Sequence, residues 1–434
     1  MKKKVLLLVA VLALVAVPLT AFAAAEFTLG GYINLRGGWA SAQGVANTYS
    51  GYIARNNAPG RHHGQFSMDA NATRFNFTIK GPELWGSRVT GFVEFDFDGS
   101  DLPPAAANVE SRGSSANQAK LRLRHAMFRF NWPDTELLLG QYWSMNSELI
   151  PETTDPGGYC LYGATQLRLP QIRLTQKFLD GFSASFAIES PQSGRWGLNV
   201  DGSNPLEGEN SETPMLEAKI RYEKDLWGKA GWYAKPRGFY AGIGGGWFRT
   251  TTGPNALGAA LREHEYYNHW LALIEAFIPV IPTYTKNLAG TMSLATQWWI
   301  GQGVSAWRID LPAAGDRYLV ADAAVNNRLY FTKRWGGFVQ ANYYLTNQWY
   351  LNAIFGIQKG FGFDTNYVAR AGYDPVKAAY RVSATLWYQP ILPIKFGVQY
   401  SWLRTDYYRA TTVNSWTTDY GDAHGIMFTS FYFF

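Results

Sequence analysis

The chain has 434 residues, 47% hydrophobic and 17% charged, with 39 basic against 33 acidic side chains and one cysteine. A single cysteine excludes an intrachain disulfide and a Cys-x-x-Cys-His haem attachment. The formal charge of +6 falls to +3 once Lys2, Lys3 and Lys4 are set aside, and no basic domain or recognised motif points to a nucleic-acid partner.

Those three lysines precede an apolar run, Val5 to Val17, and small residues follow at Ala21, Ala23, Ala24 and Ala25. This layout predicts a signal peptide over residues 1–25, cleaved after Ala23 or Ala25, and one domain over residues 26–434. The run is shorter than the ~20 residues a spanning helix needs. The next best stretch, Leu271 to Ile281, carries Glu275 and Pro279. With 17 Trp, 26 Tyr and 26 Phe the chain is rich in side chains suited to a membrane–water boundary.

Strand-like runs then follow one another in chain order. Phe27 to Trp39 sets Phe27, Leu29, Ile33, Leu35 and Trp39 against Thr28, Tyr32, Asn34 and Arg36. After a polar stretch, Asp69 to Lys80 opposes Phe75, Phe77 and Ile79 to Arg74, Asn76 and Thr78; a compact turn leads to Val89 to Asp98, with Glu94 and Asp96 on its polar face. Lys120 to Trp132 has two readings. Either a bulge flips its register, or Arg122 and Arg124 lie beyond the lipid. Glu136 to Ser144 follows, then the long connection 145–164.

Thr165 to Phe178 is read with a register change at Pro170, so that both Arg168 and Arg173 point inward. Runs Phe182 to Ser190, Met215 to Glu223, Gly238 to Arg249, His264 to Phe277 and Leu288 to Ile300 continue the alternation. Phe338 to Leu345, Trp349 to Gln358, Val376 to Tyr388 and Lys395 to Arg404 lead to the final strand, His424 to Phe434. There Ile426, Phe428, Tyr432 and Phe434 share one face, and the chain ends on Phe434 with no polar tail.

An apolar edge ending this way is an aggregation hazard in water but a sensible ending in a closed barrel surrounded by lipid. The count is sixteen strands with long and short connections alternating. This predicts an all-β, transmembrane antiparallel β-barrel. Eighteen strands follow if Gly301 to Trp335 hides a hairpin.

Three runs carry a family resemblance: TRFNFTIKGPELWGSRVTGFVEFDFDG (73–99), LRLRHAMFRF (121–130) and LLLGQYWS (137–144). They resemble the DcaP-like porins, and the ending resembles the terminal Phe strand of bacterial outer-membrane proteins. The resemblance covers about a sixth of the chain. It implies a trimeric outer-membrane channel passing small hydrophilic solutes by diffusion, with a bias toward organic anions. It also implies that the connection between strands five and six folds inward, which makes 145–164 the constriction-loop candidate.

That loop carries Glu148, Glu152 and Asp155, with Pro151, Pro156, Gly157 and Gly158 to turn it. The inward parity supplies Arg36, Arg74, Arg168, Arg173 and Arg381, besides Lys177, Lys219, Arg221 and Lys395, while Glu94 and Asp96 argue against a purely basic pore. The expected arrangement sets basic wall against acidic loop. The blander alternatives are an ordinary exposed loop and scattered charges that keep a lumen wet. Phe434 and Tyr432 are the assembly candidates.

No cofactor, metal site or enzyme follows from the motifs. His264, Glu265 and His269 are one residue too long for the helical zinc motif, and Ser144 with His125 lacks a Gly-x-Ser-x-Gly context. A barrel sheath around a multihaem cytochrome and a barrel enzyme are the competing functions. Cys160 is expected to be a free thiol, and a charged thiol reagent should alter conductance if it lies in the pore; unchanged conductance after labelling would place it elsewhere.

Overall fold

The computed structural model describes residues 25–42, 53–56, 63–99, 119–155, 162–191, 206–207, 211–252, 266–307, 317–320, 328–331, 333–361, 376–407 and 419–434. Residues 1–24, where the signal peptide is expected, and Cys160, His264 and Glu265 lie outside them.

Alternating side chains make these segments strands, and sixteen of them form one antiparallel sheet closed on itself. In chain order they are β1 (Glu26–Ala40), β2 (Gln65–Asp69 and Arg74–Leu84), β3 (Ser87–Gly99), β4 (Lys120–Asn131), β5 (Thr135–Trp143), β6 (Arg168–Leu179), β7 (Phe182–Glu189) and β8 (Met215–Lys224). The second half comprises β9 (Phe239–Thr252), β10 (Tyr266–Ile281), β11 (Met292–Gln302), β12 (Lys333–Tyr344), β13 (Trp349–Phe361), β14 (Val376–Ile391), β15 (Ile394–Tyr407) and β16 (Tyr420–Phe433). Each strand pairs with its sequence neighbours, and β16 returns to β1 in the register Tyr32↔Phe433 to Ala40↔Gly425. β2 is interrupted at residues 70–73, its two parts pairing with opposite ends of β1.

Burial is inverted relative to a water-soluble protein. Phe27, Leu29, Ile33, Leu35, Phe128, Ile172, Ile243, Val398 and Ile426 are exposed, while Asn34, Arg36, Glu217, Lys219, Gln297 and Gln340 are buried. Apolar-out, polar-in alternation is what a lipid-surrounded barrel requires. No described helix is long and apolar enough to cross a membrane.

The rim carrying the short turns is called here the inner rim, and the opposite one the outer rim. Five inner-rim turns have two to four residues, such as Trp85-Gly86, where φ of 53° and 70° fits a tight hairpin. The connections 225–238 and 282–291 are longer.

The segment Gly301 to Trp335 does contain a hairpin, Arg317–Val320 paired with Arg328–Phe331, but it forms a separate two-stranded sheet and adds nothing to the barrel wall. In β4 the bulge reading holds. Glu94 pairs with His125 and Phe95 with Leu123, so Arg124 is the inserted residue; Leu121 and Leu123 face out while Arg122 and Arg124 face in.

Candidate functional site

After β5 the chain turns inward through a short 3-10 turn, Met145–Ser147, in which the Ser144 hydroxyl accepts from the Asn146 amide. From there to Asp155 it follows the inner wall around half the barrel. Ser144 donates to Glu217 on β8, and Asn146 to the Gly245 carbonyl on β9 at 3.1 Å. Glu148 accepts from Lys219 at 3.1 Å and from Arg221 at 2.9 Å, both on β8. The Glu152 amide reaches Gln340 on β12, its carbonyl accepts from Asn352 on β13, and its carboxylate takes Tyr350 and Lys395 on β13 and β15. Asp155 closes the span on β1, where Arg36 donates to it at 2.6 Å.

The return segment is seated as firmly. Tyr162 bonds to Ser383 on β14, the Gly163 carbonyl accepts from Trp299 on β11, and Thr165 from its amide bonds to Gln297. A Cβ on Gly356 would lie 2.3 Å from the Tyr162 carbonyl oxygen, so β13 needs glycine where the loop rests on it. Apolar packing adds to these polar anchors. Leu149, Tyr162 and Ala164 pack with Tyr240, Phe277, Ala295, Phe338 and Ile354, and each large side chain so buried contributes roughly 1.5–3 kcal/mol. Residues 156–161, including Pro156, Gly157, Gly158 and Cys160, lie outside the described residues.

One half of the lumen is thereby filled. Phe338, Tyr350, Ile354 and Asn342 are at most 1% exposed, whereas the side chains of Arg122, Arg129 and Glu136 on the opposite wall keep 24–27%. The open side therefore lies along β2–β5, where Arg74 also keeps 17%. Its charges are interlocked. Arg74 stands 3.5 Å from Glu94 and over the Tyr32 ring, Arg124 bridges Glu94 and Asp96, and Arg122 forks onto Asp96. Arg129 and Arg173 flank Glu136 and both stack on Tyr142.

Among the sequence candidates, Arg36, Arg74, Arg173, Arg381, Glu94 and Asp96 face the interior. Arg168 does not. Leu167 and Leu169 are buried in an interior apolar cluster and the alternation runs unbroken through Pro170, so Arg168 shares its parity with outward Ile172 and Leu174 and stacks on Trp143 near the outer rim. Pro170 faces outward without a bulge, which is why no register change occurs. The expected opposition of acidic loop to basic wall is also revised. Glu148, Glu152 and Asp155 are each ion-paired to wall cations, so they act as anchors. Arg381 packs over the Tyr162 ring at 4.8 Å and has no carboxylate within ion-pair distance among the described residues.

Sequence reading missed Arg124, Glu275 and Tyr350 as site members. Glu275 bonds to Lys219, Tyr240 and Gln297 beneath the loop. The weighed enzyme motif dissolves, since Ser144 is committed to Glu217, and His125 lies against Tyr142. His269 bonds to Thr250, and no metal-holding group of acids, cysteines and histidines occurs among the described residues.

Glu148 sits in the loop, where burial alone would raise its pKa; Lys219 and Arg221 beside it outweigh this and hold it down to about 2. A depressed carboxylate stabilises above its ordinary pKa and loses that contribution only as pH falls through the lowered value. Any conductance difference between wild type and Glu148→Gln should therefore persist from neutral pH to about pH 3, fall by about half near pH 2 and disappear only below it. Disappearance of the difference already near its ordinary pKa of 4.5 would contradict this pairing.

Neither a protein-family model nor a curated protein sequence matches the chain. Solved structures do. The outer-membrane channel DcaP of Acinetobacter baumannii aligns with a TM-score of 0.69 at 18% identity, over 95% of this chain and 99% of that one. The chain has the outer-membrane porin fold. An anion-selective porin from Comamonas acidovorans aligns at TM-score 0.53 and 9% identity, covering 94% and 100%. Pseudomonas putida OprB aligns at 0.52 and 9%, covering 94% of each chain. The sequence resemblance over residues 73–144 thus extends, as fold, over nearly the whole length.

Proposed function

We propose that this chain is an outer-membrane porin that lets small hydrophilic solutes diffuse passively, with a bias toward organic anions. The observation that carries the reading is the loop drawn into the lumen and anchored from β8 round to β1, which narrows the barrel without closing its arginine-bearing side. Because wall cations neutralise all three loop acids, the loop offers little negative charge to repel anions. Arg129 and Arg173 share one carboxylate, Glu136, and Arg381 has none beside it among the described residues, so the interior keeps a net positive balance there, and rings of such residues favour anions. The DcaP channel and the anion-selective porin support the same reading by fold. Residues 1–25 would be a cleaved leader and residues 26–434 the barrel. Three barrels would associate side by side through their lipid-facing surfaces, as in trimeric porins. A cytochrome sheath fits less well, since the lumen is crossed by the chain's own loop.

Liposome swelling tests this directly. Purified protein should admit a small dicarboxylate faster than a neutral sugar of similar size, and Arg74→Gln with Arg381→Gln should narrow that difference. Equal rates for both solutes in wild type would overturn the anion bias.

A further inference from the structure

Adjacent antiparallel strands need only a two-residue connection. The inner-rim connection between β8 and β9 instead spans 225–238 and contains its own hairpin, Ala230–Trp232 paired with Lys235–Arg237. Tyr233 and Ala234 form its tip, with φ of 49° and 58°, the left-handed pair a tight hairpin turn requires. A connection exposed at the rim has no reason to be buried, yet Ala230 is fully buried. The hairpin docks onto the interior of the barrel.

Its contacts are specific and extend across several strands. Trp232 meets the Phe277 ring edge-on at 5.5 Å, and the Gly231 carbonyl accepts from Ser293 at 2.8 Å. The Ala234 amide donates to the Tyr344 hydroxyl at 2.9 Å. The Tyr344 ring lies so close that a Cβ on Gly231 would come within 2.0 Å of it. At the tip, Tyr233 donates its hydroxyl to the Ile150 carbonyl of the constriction loop at 3.1 Å. Tyr344 in turn stacks on Tyr350 at 4.5 Å, and Tyr350 holds Glu152. The hairpin therefore touches the loop directly at Ile150 and indirectly at Glu152.

We infer that the hairpin 230–237 is a buttress, rising from the inner rim to fix the constriction loop from below, with Tyr233 as the positioning residue that sets the bore. The outer-side anchors stop the loop from swinging away from the wall; the hairpin stops it from sagging toward the inner rim. The inference rests on the channel reading above, and the test separates the two.

Single-channel recording is made on wild type, on Tyr233→Phe, and on a chain in which residues 230–237 are replaced by Asn-Gly, using only heat-modifiable folded protein. Tyr233→Phe keeps the ring and removes the bond to Ile150, so it should fold as wild type does and show more frequent sub-state transitions. The shortened chain should conduct about 1.5-fold more or better, because the current through a wet pore follows its open cross-section. A conducting wild type with both variants matching it in conductance and noise overturns the buttress. A folded wild type that conducts nothing overturns the channel reading instead. Should the shortened chain fail to fold, Tyr233→Phe alone decides through its noise.

Discussion

Glu152→Gln should raise the single-channel conductance and make the open channel unstable. The carboxylate lies 2% exposed between the Tyr350 hydroxyl and the Lys395 ammonium, itself 8% exposed and packed over Trp387 at 4.0 Å. Removing the charge strands the lysine in an aromatic site with no counter-ion. Breaking such a buried pair costs roughly 3–5 kcal/mol, while 1.4 kcal/mol is a tenfold change in population. Even a several-fold discount for water in the lumen leaves enough to unseat the loop on β12–β15. Asp155→Asn should do less, because Arg36 keeps Asp69 and Asp98 when that carboxylate is lost. The check is the ranking: Glu152→Gln above Asp155→Asn in conductance and noise, with the barrel still heat-modifiable. The reverse ranking would mean that the loop hangs from β1.

Deleting Phe431 to Phe434 should abolish the folded barrel. These residues carry both edges of the seam. Phe431, Tyr432 and Phe433 pair with Asn34, Ile33 and Tyr32 on β1, and Phe434 exchanges backbone hydrogen bonds with Gly31, each 3.2 Å. Without them Gly31 to Asn34 of β1 present unpaired amides and carbonyls to lipid, where each costs several kcal/mol. Phe434→Ala keeps the backbone pairs and removes the ring, which lies 5.6 Å from Phe75. It should reduce the folded amount without eliminating it. Tyr432, lipid-facing and 51% exposed, should be the milder site. The readout is the heat-modifiable band in outer-membrane fractions; an unchanged band for the deletion would refute the role of this seam.

The wall was legible in the sequence because a lipid-surrounded strand must alternate, and alternation is local. Hence all sixteen strands emerge where Phe27, Phe75, Phe128 or Ile426 mark the outward parity. What alternation does not reveal is the packing of one segment inside another. In β10, Leu271, Ala272, Leu273 and Ile274 are apolar on both parities, a pattern of burial on two faces. That was the available signal that the lumen side is covered there, by Leu167, Leu169 and the segment ending at Trp307. Arg168 was misplaced for a related reason: Leu169 faces inward onto this cluster, so an apolar residue need not point to lipid. Ion pairing was equally hidden. Glu152 and Lys395 lie far apart in sequence and meet only when the loop crosses the lumen.

An open, anion-preferring pore is tested most directly in a planar bilayer with a potassium chloride gradient. Purified wild-type protein should insert as an ohmic channel whose zero-current potential has the sign of chloride preference. Arg74→Gln with Arg381→Gln should move that potential toward the cation side by a modest amount, since each charge acts through a screened field. A folded protein that passes no current, or one whose zero-current potential has the cation sign in wild type, would contradict the account.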